Sequence, residues 1–179
     1  METKLTSKSG VQAFDFFFGS WKVRNRRLLK RLEANDEWEE FDADSACHPV
    51  LGGVGNVEEF KSAHRPGFVG MSLRLYEPQS GQWSIYWVDN QSVILQPPVV
   101  GRFSEGRGIF EGIDEFAGKP ILVRFIWSCI DTDQPHWEQA FSADQGKTWE
   151  TNWTMDFYRI SSSSNAKSSD ANNRGGGHE

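Results

Sequence analysis

The sequence predicts an all-β fold: a single antiparallel up-and-down barrel of about eight to ten strands, led by a short helix or 3₁₀ turn. Three observations carry this expectation. Between residues 11 and 160, short runs rich in Val, Ile, Phe and Trp alternate with Gly, Pro, Asn and Asp, the punctuation of strands and turns. The loops in YEPQSGQWS (76–84) and SADQGKTW (142–149) share one scheme, a polar opener, then Gly, then a Trp that starts the next strand. Eight Trp and thirteen Phe in 179 residues exceed ordinary packing needs, so the interior is either a thick aromatic core or a cavity lined with rings. A meander of this kind closes on itself, because closure removes its unpaired edges.

VQAFDFFFG (11–19) reads as the helical lead-in, and strands are expected at 20–32, 37–48, 53–60, 68–77 and 82–89. Pro97 and Pro98 exclude a central strand around 92–103, which reads as a looser stretch. Strands resume at 106–116, 120–131, 136–142 and 149–160. The folded domain is therefore 11–160, preceded by a flexible segment, 1–10. The Ser/Asn/Gly-rich tail, 161–179, lacks large apolar residues to offset its ordering entropy and is expected to be disordered.

Period-two alternation sorts the strand faces. On the last strand Thr151, Trp153, Met155 and Phe157 turn inward, and Asn152, Thr154, Asp156 and Tyr158 outward. Val123, Phe125 and Trp127 turn inward on their strand, because that leaves Arg124 in water; Trp137, Gln139 and Phe141 follow on the next. Trp83, Ile85 and Trp87 form the heavier face of 82–89. On the first strand Trp21, Val23, Asn25, Arg27 and Leu29 share a face. An inward Arg27 needs an acid or a bound anion, with Glu58, Glu111 and Asp89 as candidate acids; the alternative is an Arg27 at the barrel mouth, snorkelling to water.

Charge and motifs narrow the function classes. A net charge of −6 offers no basic surplus for nucleic acid. No apolar run is long enough for a membrane helix, and METKLTSKSG lacks the apolar core of a secretory signal, so the expected location is cytoplasmic. Cys47 and Cys129 have no CxxC partner and are expected to be buried free thiols. No Lys-Ser/Thr follows the Gly-rich LGGVGN (51–56), which argues against a phosphate cradle. His136 and Glu138 share a strand face but lack a third ligand, so no metal is expected. Ser142, Asp144, Gly146, Thr148 and Trp149 match the Asp-box of sialidases, yet once only, in a chain too short for an ordinary propeller. A hairpin whose Trp149 re-enters the core is the expectation there.

Gly19 and Trp21 in FFFGSWKV form the G-x-W that opens the first strand of lipocalins and related calycin barrels, and the chain resembles that group. The resemblance implies that Trp21 closes the barrel floor beneath a stacked Arg159, which ends the last strand in DFYRI. The lipocalin TDY motif is missing. More broadly, FDFFFGSWKVRNRRL, HPVLGGVGNVEEF and WEQAFSADQGKTWETNWTMDFYR are similar to bacterial proteins grouped as the domain of unknown function 1579. That resemblance spans almost all of 11–160 and implies a lipocalin-like barrel with no general activity. Nitrobindin-type haem barrels also begin near a G-x-W; His48, His64 and His136 are the candidate proximal ligands, none in a nitrobindin context, and no cofactor is expected.

The leading expectation is a carrier or sensor for a small hydrophobic or aromatic molecule. Trp87, Phe125, Trp127, Trp153 and Met155 would supply its apolar contacts, while Asn25, Arg27 and Gln139 orient a polar end. The alternative is an isomerase, cyclase or hydrolase of secondary metabolism using the same cavity. There His48 and Glu58 would be the acid/base residues, and Arg27 would stabilise an oxyanion. A third reading is a filled barrel that serves as a homodimer or scaffold.

Overall fold

The computed structural model describes residues 10–161, so the segments expected to be flexible lie almost wholly outside the described residues. Ten antiparallel strands close into a barrel in sequence order, with β1 paired to β10. They are β1 (Gly19–Leu28), β2 (Trp38–Val50), β3 (Gly55–Ser62), β4 (Val69–Glu77), β5 (Gln82–Asp89), β6 (Val99–Ser104), β7 (Arg107–Phe116), β8 (Lys119–Ser128), β9 (His136–Ser142) and β10 (Glu150–Arg159).

The alternation of each strand explains its place. In β1, Trp21, Val23 and Asn25 are buried while Lys22, Arg24 and Arg26 are exposed. Lys22 and Arg24 pair on the outer wall with Asp44 and Glu40 of β2, contacts worth little in water. The strand stops at Leu28, short of the expected 32, because the Leu29 amide closes onto the Glu37 carbonyl and Leu32 and Ala34 take left-handed conformations. Leu29 is thus exposed rather than inward. The prolines act as expected on 92–98, but Val99–Ser104 still forms a short strand beyond them.

A register shift in β10 between Thr151 and Trp153 changes the expected faces. This bulge exposes Thr151 and buries Asn152, the reverse of strict alternation, then restores Trp153, Met155 and Phe157 to the interior.

Two 3₁₀ turns, Gly10–Gln12 and Asp15–Phe17, cross one end of the barrel and seal it. Phe14 meets Trp83 edge-on with ring centres 5.0 Å apart, and Phe17 stacks on Trp21 at 5.6 Å. The Trp21 indole donates to the Phe17 carbonyl (2.8 Å). Arg159 lies 4.0 Å above the Trp21 ring and donates to the Phe18 and Phe16 carbonyls (2.7 and 2.6 Å). The floor closure implied by the G-x-W resemblance is present.

The β9–β10 loop is organised by Asp144. It accepts from the Ser142 hydroxyl (2.8 Å) and from the Thr148 amide and hydroxyl (2.9 and 2.6 Å). These bonds hold its carboxyl down at about 2, the Thr148 contacts contributing most. Trp149 does not re-enter the core. It lies on the outer wall, where the Arg124 guanidinium sits 3.7 Å from its ring centre. The strand turns its side chains alternately, and the loop delivers Trp149 on the solvent side of β8.

Candidate functional site

Above the sealed floor lies a cavity of about 160 Å³. Trp87, Phe125, Trp127, Gln139, Trp153 and Met155, all expected there, line it together with Trp137 and Phe157. The rings hold one another edge-on: Phe125 to Trp137 at 4.9 Å and Trp137 to Trp153 at 6.0 Å. Such T-shaped contacts fix the wall rather than letting it collapse. Gln96 and Pro97 of the segment before β6 line the rim, and the Gln96 amide anchors to the Trp87 carbonyl at 2.7 Å.

Asn25 and Arg27 do not line this cavity. The Asn25 amide is spent within the protein: its oxygen accepts from the Trp153 indole (3.0 Å) and its nitrogen donates to the Val23 carbonyl (3.3 Å). It therefore positions Trp153. Arg27 donates to Glu39 at the open end (2.8 Å), not to Glu58, Glu111 or Asp89. Those three are engaged elsewhere, with Arg74, with Arg124 and with the Gln91 and Ser92 amides. Arg27 and Arg31 both lie over Trp153, at 5.2 and 5.9 Å. Burial, reinforced by the nearby Arg27 charge, lowers the Arg31 pKa. His64 also reaches Glu39 (3.5 Å), so Arg27 and His64 both face Glu39 at the mouth.

The most deeply buried charges are ones the sequence did not pair. Arg74 and Glu58, 3% and 5% exposed, form an ion pair on the cavity wall close to the floor. The register builds it: Asn56 sits opposite Arg74 and Glu58 opposite Ser72, so the inward parities of β3 and β4 bring the charges together. Ser45 donates to Glu58 (2.7 Å), and Arg74 donates to the Asn56 side-chain amide oxygen (3.1 Å). The Arg74 guanidinium also faces the Phe14 and Phe17 rings at 5.2 and 5.1 Å. Removing one member of such a pair costs about 3–5 kcal/mol, since the other is left charged and buried. The readable signal was polar residues at inward positions of two successive strands, Asn56 and Glu58 followed by Ser72 and Arg74.

The histidines lie elsewhere. His48 is exposed on the outer face of β2, the opposite face from Glu58, so the expected acid/base pairing fails on strand parity. His136 pairs with Asp156 (2.6 Å) outside the cavity. No histidine is among the cavity-lining residues, and among the described residues no cluster of His, Cys, Asp and Glu is placed to hold a metal. Cys47 is buried as expected, and desolvation pushes its thiol up to about 12. Cys129 is exposed, contrary to expectation, at a left-handed turn after β8.

No family model matches the chain, and no curated protein does. Among solved structures, the S-type phycobiliprotein lyase from Guillardia theta is similar, with a TM-score of 0.56 over 88% of this chain and 96% of that one. The fold is lipocalin-like. The two sequences share 12% identity, so the likeness extends to architecture alone. No helix among the described residues is long and apolar enough to cross a membrane.

Proposed function

We propose that this lipocalin-like barrel binds a small hydrophobic or aromatic molecule as a carrier or sensor. The observation that carries the reading is a ring-walled cavity, sealed at one end and open at the other, with an ion pair near its floor and cationic side chains at its mouth. Trp87, Phe125, Trp127, Trp153 and Met155 supply apolar contact, and Gln139 offers a polar one. A similar solved barrel being a phycobiliprotein lyase is consistent with small-molecule work in this architecture. The enzyme alternative has less support, because His48 faces solvent away from Glu58. On the motifs quoted above, we also group the chain with the proteins of the domain of unknown function 1579 and place it in the cytoplasm. A homodimer is the expectation that sedimentation tests.

Titrating the protein with a library of flat apolar compounds while following Trp emission tests the reading. Some members should quench it, and Trp153→Ala should weaken those same members. Unchanged emission across the library would leave a filled barrel as the better description.

A further inference from the structure

We propose that the cavity floor recognises a neutral hydrogen-bond acceptor, such as a carbonyl oxygen, at the leading end of the ligand. The inference rests on the small-molecule reading above and specifies the chemistry of the molecule. Two buried donors motivate it. The Trp127 indole N–H and the Arg74 Nε–H have no hydrogen-bond partner, both residues line the cavity, and the guanidinium lies 5.9 Å from the Trp127 ring. Four other indoles differ: Trp21, Trp83, Trp149 and Trp153 donate to Phe17, Gly10, Gly146 and Asn25. Trp127 is buried like Trp21 and Trp83, yet its donor has no partner.

Indole and guanidinium nitrogens donate and do not accept, so the group that satisfies them must be an acceptor. Charge then selects its kind. Glu58 already balances Arg74, Ser45 and Asn56 bond to the pair, and the rings of Phe14, Phe17 and Trp127 face the guanidinium. An anion added there would leave a net negative charge buried away from water, which is costly. A neutral oxygen satisfies the donors and keeps the site balanced. Because Phe14, Phe17 and the Arg159 clamp seal the floor, the acceptor end must travel in first from the mouth.

Three compounds of one shape separate the possibilities by isothermal titration of the full chain. They are 2-acetylnaphthalene, 2-isopropenylnaphthalene, which replaces C=O by C=CH₂, and 2-naphthoate. The ketone should bind at least about tenfold tighter than the alkene, the difference a hydrogen bond to a charged donor makes, and tighter than the acid. Trp127→Phe should shrink the ketone-to-alkene ratio while changing alkene affinity far less. Arg74→Lys keeps the charge but lacks the Nε donor, and should do the same if the Phe variant does not fold. Equal binding of ketone and alkene overturns the floor assignment and leaves the cavity reading standing. Tightest binding by naphthoate also overturns it, since the floor is then an anion site. Binding by none of the three overturns the small-molecule reading itself, and the floor assignment with it.

Discussion

Gly70 shapes the wall of the cavity by what it lacks. A Cβ built there would lie 2.1 Å from the Trp87 ring, with the indole packed directly onto the backbone of β4. Gly70→Ala therefore drives Trp87 toward the cavity. We expect a stability loss of about 1–3 kcal/mol from overpacking, with weaker binding of every ring-bearing ligand, read by denaturant titration and calorimetry. The two thiols make a second test. Cys129 is exposed and should react promptly with a thiol reagent at neutral pH, while Cys47, buried and raised to about 12, should react only on unfolding. Two prompt equivalents would contradict the burial of Cys47. Ring positions were legible because large apolar residues on alternating strands have few other places to go. Polar partners were not legible: which acid meets Arg27, or which arginine meets Glu58, depends on register between strands, and alternation within a strand does not encode it.

The β9–β10 hairpin shows how one carboxylate organises a loop. Asp144 ties Ser142 to Thr148, and its depressed pKa gives the contribution a sign. The carboxylate stabilises the fold fully above its ordinary pKa of 3.8, and that contribution is lost as pH falls through about 2. The denaturation midpoints of the wild type and Asp144→Ala should differ by a constant amount from neutral pH to about 4, then converge toward pH 2. A gap that instead closes near pH 6 would place the responsible group elsewhere. Strand positions were recovered nearly throughout from periodicity and turn residues. The bulge at Asn152 and the early end of β1 were missed, since a one-residue register shift leaves no mark on composition.

Closure joins the first strand to the last, and one side chain spans the joint. Arg159→Ala removes the stack on Trp21 and both bonds to the Phe16 and Phe18 carbonyls. A loss of about 1–2 kcal/mol is expected in urea unfolding, and no loss would argue that the floor is held by packing alone. The joint also bears on synthesis. Phe14 and Phe17 leave the ribosome well before their partners Phe110, Trp127 and Phe157, and before Arg159. Until then the nascent chain carries an uncovered phenylalanine cluster and a sheet with two open edges. Its translation is thus a race between elongation and self-association, one that only the final strand ends.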